Sequence, residues 1–169
     1  HRETLTSFSN LADDLSRNMR DILWAMTTEQ TGSKHLAEHL VSRSREFLSG
    51  SGITLHAEVG ELPERRVSAE CRRNLPLVLK EVLNNTLKHA GAHNVHLDIA
   101  WKNGLELVVR DDGTGIPAQA GAGNGMRTIR QRIGSLGGTT LCQAAPGGGT
   151  EWHFHVPLPE GNERSIGTG

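Results

Sequence analysis

The sequence predicts an α+β fold in which helices pack as one layer against a single mixed β-sheet. Two observations lead to this prediction. Apolar residues recur at helical spacing in the longer segments, and they alternate with polar residues in five shorter ones. Their order along the chain is helices, strand, helix, hairpin, loop, helix, hairpin. The 169 residues are enough for one such domain plus a helical extension.

Composition excludes several classes of protein. The net charge is −1, so no overall field attracts nucleic acid or a membrane surface. Aromatic residues make up 4% of the chain and Tyr is absent, which argues against stacking on single-stranded nucleic acid. The two cysteines fit a reducing cytoplasm, and no apolar run approaches the ~20 residues that a membrane helix needs.

The first segment is predicted to be a helix that needs a partner helix. Its apolar residues follow each other in steps of three and four, which forms an a/d heptad seam. The seam consists of Leu5, Phe8, Ala12, Leu15, Met19, Ile22 and Met26. Polar residues cover the other faces, so this helix suits a coiled coil or bundle, and residues 5–26 could form a homodimer.

A second helix is predicted after a polar break at 27–33, with Ser33 as its N-cap. The glycines at 50 and 52 end it. Residues 53–59 alternate between apolar and polar and predict a strand.

A third helix is predicted from Ser68, its N-cap, to Gly91, which stops it. Pro76 lies inside this helix and lacks an N–H donor, so we expect a kink there or a restart with Asn74 as cap.

The rest of the chain predicts two hairpins and one helix. A Gly-rich loop spans 111–125, and the tail from Pro159 is expected to be disordered. The predicted elements are strands 95–101 and 105–110, a helix at 126–136, and strands 139–145 and 151–157.

Polar residues on the third helix form the first candidate site. Glu81, Asn85 and His89 are four residues apart and would share one helix face, with Lys88 beside them. The pattern fits the solvated face of an amphipathic helix. Taken alone it favours that solvated face, but it also fits a metal–phosphate site, because an amide oxygen suits Mg²⁺ that is shared with phosphate.

A second candidate site follows the strand at 105–110. Asp111 ends an apolar strand, where its carboxylate could accept a hydrogen bond from an exocyclic amine. Gly113 and Gly115 would let the backbone approach a flat ring, although Asp and Gly are also common in ordinary turns.

Glycines also precede the fourth helix. Gly123, Gly125 and the amide of Met126 could cradle phosphate at the helix N-terminus. The pattern is not the Rossmann fingerprint, and no Walker Gly-Lys-Ser/Thr is present. The glycines at 147–149 before Thr150 are, taken alone, a hairpin turn.

Together these motifs resemble the GHKL ATPases, the superfamily of gyrase, Hsp90, histidine kinases and MutL. The ordered set is Glu-x3-Asn-x3-His at 81–89, Asp-x-Gly-x-Gly at 111–115, Gly-x-Gly at 123–125 and Gly-Thr at 149–150. Within the superfamily the chain is most similar to sensor histidine kinases of the NarX and DesK type, through segments 72–75, 80–90 and 123–130. The resemblance covers about residues 10–158 and implies the Bergerat ATP-binding fold.

The resemblance implies a role for each matching residue. Asn85 would hold Mg²⁺, and Glu81 would assist phosphoryl transfer. Lys88 and His89 would meet phosphates, and Asp111 would read adenine. The remaining ATP-binding positions are Gly113, Gly115 and Ile116 under the ring, Gly123, Gly125 and Met126 at the phosphates, and Thr150 near the adenine.

The resemblance also implies a domain organisation. Residues 1–28 would be the second helix of the dimerisation domain, 33–158 the catalytic domain, and 159–169 the tail. The phosphoacceptor histidine of the family lies on a preceding helix, which we do not find here, so self-phosphorylation is not expected. The implied partners are ATP, that histidine-bearing helix and a response-regulator receiver domain. The full-length protein would be cytoplasmic or anchored in the inner membrane.

Three other interpretations fit the sequence less well. An anti-sigma-factor-like serine kinase shares the ATP fold but does not explain the seam at 5–26. A nucleotide-free interaction module does not explain why Glu81, Asn85 and Asp111 are all present. His35-Leu-Ala-Glu38-His39 matches an inverted zinc-protease motif, but no third ligand is evident in the sequence.

Overall fold

The computed structural model describes residues 2–27, 32–115 and 123–159. It contains one five-stranded sheet and four α-helices, the α+β sandwich that the sequence predicts. The helices are α1 Arg2–Thr27, α2 Ser33–Leu48, α3 Ala69–Asn85 and α4 Asn124–Ser135. The strands are β1 Thr54–Val59, β2 Asn94–Trp101, β3 Leu105–Asp111, β4 Thr139–Ala144 and β5 Thr150–Val156.

The sheet is mixed and its strand order is β1-β2-β3-β5-β4. Strands β1 and β2 are parallel, and the other neighbours are antiparallel. Strand β5 therefore lies between β3 and β4, so the residue that ends β3 meets the residue that begins β5. This adjacency builds one end of the candidate site.

The core lies between the sheet and the layer formed by α2, α3 and α4. Every second residue of β3 is buried, as expected for a strand with one covered face. The helices contribute their apolar stripes, including Leu36 and Leu40 of α2, Leu75 and Val78 of α3, and Ile129 and Ile133 of α4. The open face of the sheet is polar and carries His56, His96, Arg110 and His153.

Two predicted helix starts have different outcomes. Ser68 caps α3 as predicted, since its hydroxyl accepts from Cys71 N at 3.1 Å. The prediction that Ser33 caps α2 is wrong, because Gly32 holds that position. The Ser33 hydroxyl is buried and donates to Pro63 O while it accepts from Arg65 N, which ties α2 to the loop before α3.

Helix α3 runs through Pro76 without interruption. The predicted restart is therefore wrong, and Asn74 does not act as a cap. Asn74 is buried inside α3, and its Oδ1 accepts from Arg132 of α4 at 2.8 Å. The side chain that was expected to begin a helix instead joins two helices of the layer.

Helix α1 stands outside the core. Its large seam side chains, from Leu5 to Met26, are more than half exposed. Near its end, Trp24 stacks on His39 of α2, with ring centroids 3.7 Å apart and an interplanar angle of 3°. The seam predicted at 5–26 is therefore a helical stripe that this chain leaves uncovered. Among the described helices, none combines the length and hydropathy that crossing a bilayer requires.

Candidate nucleotide site

A π-helical turn links α3 to Gly91. It spans Thr86–Ala90 and ends at Gly91, which adopts a left-handed conformation with φ 58°. No signal in the sequence marks this turn, since Leu87-Lys88 continues the α-helical pattern. Such turns are frequent at functional sites because one extra residue re-aims the side chains that follow.

Only part of the polar face that was predicted for the third helix lies on regular α-helix. Glu81 and Asn85 lie four residues apart within regular α-helix and are half-buried. Lys88 lies in the π-helical turn and is exposed, and His89 belongs to the same turn. The assumption of a continuous α-helix therefore fails beyond Asn85, and the side chain of His89 lies outside the described part of the structure.

Asp111 is buried at the end of β3, at 6% exposure, and several donors hold its carboxylate. Oδ1 accepts from the backbone N–H of Gly113 at 3.0 Å and from that of Thr150 at 3.2 Å. Oδ2 accepts from the hydroxyl of Thr86 at 3.3 Å. A carboxylate has roughly four acceptor positions, so these three donors leave room for a fourth from a ligand.

Glycine backbones crowd around Asp111. Gly149 has φ 92°, and a Cβ there would overlap the Asp111 carbonyl oxygen, so only glycine fits. Gly115 has φ 86°, and a Cβ on it would lie 3.5 Å from Gly149 O. The turn before β5 thus packs against the loop after β3, and the motifs at 111–115 and 149–150 meet in space. Ile116, predicted beside them, lies outside the described residues.

The start of α4 meets α3 at Glu81. Gly123 is the N-cap of α4, and a Cβ on Gly125 would overlap Glu81 Oε1. The carboxylate therefore lies against the first turn of α4, whose N–H groups carry the positive end of the helix dipole. Met126, predicted to offer its amide to phosphate, buries its side chain in the core.

Asp112 organises the backbone beside Asp111. Its Oδ1 accepts from the N–H groups of His93 and Asn94 at 2.8 and 2.9 Å, and its Oδ2 accepts from Asn94 Nδ2 at 2.9 Å. The side-chain bond from Asn94, followed by these backbone bonds, lowers the pKa of Asp112 from 3.8 to about 2. An anionic Asp112 thus ties the start of β2 to the end of β3.

Asn85 offers a neutral oxygen at the end of α3. The amide oxygen of Asn85 is a hard, neutral ligand that suits Mg²⁺ held mainly by phosphate oxygens. Within the described ranges, no group of three or more His, Cys, Asp or Glu could hold a metal by itself. His39, from the zinc-like motif, stacks on Trp24, and Nδ1 of His35 lies 3.7 Å from Oε2 of Glu38.

Comparison with known proteins identifies the family. Residues 71–160 match the model of the histidine kinase-, DNA gyrase B- and HSP90-like ATPases. The chain is 34% identical over 133 residues to the histidine-protein kinase/phosphatase UhpB of Salmonella typhimurium, which covers 76% of the chain and 26% of UhpB. It is 29% identical over 153 residues to the nitrate/nitrite sensor NarX of Escherichia coli, covering 89% of the chain and 25% of NarX.

A solved structure agrees with these sequence matches. The histidine kinase domain of the blue-light-activated kinase EL346 from Erythrobacter litoralis superposes with a TM-score of 0.67 at 25% identity, over 82% of this chain and 70% of that one. The chain spans about a quarter of the length of the curated relatives named above. On its fold and on the match over residues 71–160, which are more than half of it, the chain belongs to the histidine kinase-, DNA gyrase B- and HSP90-like ATPase family.

Proposed function

We propose that this chain binds Mg·ATP and positions it for phosphoryl transfer to a histidine, as the catalytic part of a two-component sensor kinase. The observation that carries the proposal is the buried carboxylate of Asp111, which three donors orient while one acceptor position remains. An exocyclic amine, such as that of adenine, is the donor that completes such a carboxylate. UhpB is named a histidine-protein kinase/phosphatase and NarX a nitrate/nitrite sensor protein, and both names favour this function over an anti-sigma-factor-like serine kinase.

At the base end, Asp111 would accept from the adenine amine, with Thr150 beside it. Gly113, Gly115 and Ile116 would line the ring, because glycine lets backbone approach a flat surface. The close packing of Gly149 on Asp111 supports this role, since it fixes the backbone on which the carboxylate stands.

At the phosphate end, Asn85 would hold Mg²⁺ through its amide oxygen. The bound ion would neutralise charge on the phosphate oxygens, which is its main contribution to such a transfer. Lys88 and His89 would add positive charge, and Gly123, Gly125 and the amide of Met126 would offer N–H groups at the start of α4. Glu81 would orient or deprotonate the attacking histidine.

The wider organisation is part of the same proposal. Residues 1–28 would belong to the dimerisation domain and 33–158 to the catalytic domain, with 159–169 as a tail. The seam at 5–26 would pair with a second copy. The γ-phosphoryl group would go to a histidine on another helix of the full-length protein, and then to the receiver domain of a response regulator. The chain would act in the cytoplasm, within a protein that could be anchored in the membrane.

A calorimetric titration with ATP, with and without Mg²⁺, tests the binding step. Asp111→Asn should weaken binding with or without the ion, whereas Asn85→Ala should remove the gain that Mg²⁺ gives. Asp98→Asn is the matched control, because Asp98 lies on β2 away from these motifs. Absence of ATP binding by the unaltered chain, or equal binding by all variants, would refute the proposal.

Labelling with [γ-³²P]ATP tests the transfer step. We expect no acid-labile label on the chain by itself, because the acceptor histidine is proposed to lie elsewhere. Label on one of its nine histidines would overturn that part of the proposal.

A further inference from the structure

Thr86 was not among the predicted site residues, yet its hydroxyl reaches the site. It ends α3 and begins the π-helical turn, and it is 4% exposed. Its Oγ1 lies 3.3 Å from Asp111 Oδ2 and also 3.3 Å from Val82 O, one turn earlier. One hydroxyl proton therefore faces two acceptors.

The two acceptors are not equivalent. Val82 O already receives the backbone N–H of Thr86, so it does not depend on the hydroxyl. Asp111 Oδ2 belongs to a buried anion, and hydrogen bonds to ionised acceptors are roughly twice as strong as neutral ones. The hydroxyl therefore forms a more favourable hydrogen bond with Asp111 Oδ2 than with Val82 O.

The position of this bond on the carboxylate gives it a distinct role. The two backbone donors, Gly113 and Thr150, both bind Oδ1. Oδ2 is the oxygen that would face a ligand, and Thr86 occupies one of its two acceptor positions. A bond there fixes the rotation of the carboxylate and directs the second position of Oδ2 toward the ligand.

We propose that Thr86 is a positioning residue that orients the Asp111 carboxylate and thereby sets the preference for a base with an exocyclic amine. The inference rests on the proposed binding of ATP through Asp111. Without the hydroxyl, the Asp111 carboxylate would rotate or Oδ2 would bind water. The amine of the base would then meet an acceptor whose orientation is less well fixed. A base with a carbonyl at the same place gains nothing from this orientation.

The test compares affinities for ATP and for inosine triphosphate, whose base carries an oxygen in place of the exocyclic amine. Thr86→Val keeps the shape of the side chain and removes its donor, whereas Thr86→Ser keeps the donor. Ser44→Ala is the control, because Ser44 is also buried and donates to the carbonyl four residues earlier, in α2.

Thr86→Val should lower the affinity for ATP by roughly ten- to a hundredfold, the loss expected for one hydrogen bond to a charged group. The affinity for inosine triphosphate should stay unchanged, so the ratio between the two should fall. Thr86→Ser and Ser44→Ala should keep the ratio of the unaltered chain.

Two failures can be told apart. If the unaltered chain binds ATP and inosine triphosphate alike, or if Asp111→Asn binds ATP normally, the proposed function itself fails. If Asp111 matters and Thr86→Val keeps the original ratio, the role of Thr86 is refuted. Equal losses for both nucleotides, with a lower melting temperature, would show that Thr86 is only structural and would also refute it.

Discussion

Gly149 packs against Asp111 so closely that a Cβ at position 149 would overlap the carbonyl oxygen of Asp111. The two residues are far apart in the chain and meet because β5 pairs with β3. The neighbouring residue, Thr150, donates its N–H to the carboxylate of Asp111 at 3.2 Å. A disturbance at Gly149 therefore reaches the carboxylate directly through the backbone.

Gly149→Ala should destabilise the fold and weaken ATP binding. A non-glycine residue at φ 92° costs about 1–3 kcal/mol, and the clash with backbone adds about 1–3 kcal/mol more. Urea unfolding measures the first effect and nucleotide titration the second. Gly147→Ala is the control, since Gly147 has φ 86° but no atom within 4 Å of its Cβ position. A loss at 147 as large as that at 149 would contradict the contact.

Gly125→Ala should affect the stability of the fold and the rate of phosphoryl transfer in different ways. The added Cβ would overlap only the end of the Glu81 side chain, which is flexible and can move away. Alanine is also the better helix former, by up to about 1 kcal/mol. We therefore expect equal or higher stability. Under the role proposed for Glu81, its displacement should also slow phosphoryl transfer in the full-length protein.

Gly134 gives a matched control for that substitution. It lies in the same helix, α4, and its Cβ position has no atom within 4 Å. Gly134→Ala should raise stability and leave the transfer rate unchanged. If Gly125→Ala transfers phosphate as fast as Gly134→Ala, the position of Glu81 against α4 has no role in the reaction.

The helices and strands could largely be predicted, because their apolar periodicity is a local property. Asp111 could be singled out as a candidate as well, since an acidic residue that ends an apolar strand and precedes two glycines stands out. The contacts that hold it could not be predicted. They depend on β5 lying beside β3, and the sequence predicted two hairpins without showing which strands adjoin.

The π-helical turn at 86–90 was missed for a different reason. Its residues do not depart from α-helical spacing, and the extra residue becomes visible only in the hydrogen bonding of the backbone. The bond from Thr86 to Asp111 could therefore not be foreseen. Pro76 led to the opposite error. This strong helix breaker suggested a restart of the helix, yet it lies within a continuous α3.

Asp112 predicts a specific dependence of stability on pH. Its pKa is lowered from 3.8 to about 2 in the folded chain, so its ionised form stabilises the fold. That contribution is fully present above the unfolded pKa and is lost as the pH falls through the folded one. The stability difference between the unaltered chain and Asp112→Asn should be constant above pH ~5 and shrink between pH 4 and 2.

Urea unfolding over a pH series checks this expectation, and Asn94→Ala tests its cause. The Asn94 side chain is the largest contributor to the shift, so its removal should raise the pKa of Asp112 toward the ordinary value. The carboxyl ¹³C resonance of Asp112 reports that pKa directly. A titration near pH 4 in the unaltered chain would contradict the hydrogen bonds found for Asp112.

The seam of α1 predicts self-association through residues 5–26. Its side chains are apolar, aligned along one stripe and more than half exposed. Fully burying one Leu or Phe contributes about 1.5–3 kcal/mol, so a seam of seven positions has enough area to pair two helices. We expect a dimer whose population rises with concentration in sedimentation equilibrium.

Leu15→Glu tests whether the seam is the contact. The charge would lie in the middle of the stripe and would have to be buried next to its own copy, which strongly opposes pairing. Ser16→Glu adds the same charge one residue away, on an exposed face of the same helix, and should leave the dimer intact. If both variants associate alike, a different surface forms the dimer. If the unaltered chain stays monomeric up to high concentration, residues 5–26 do not pair with a second copy.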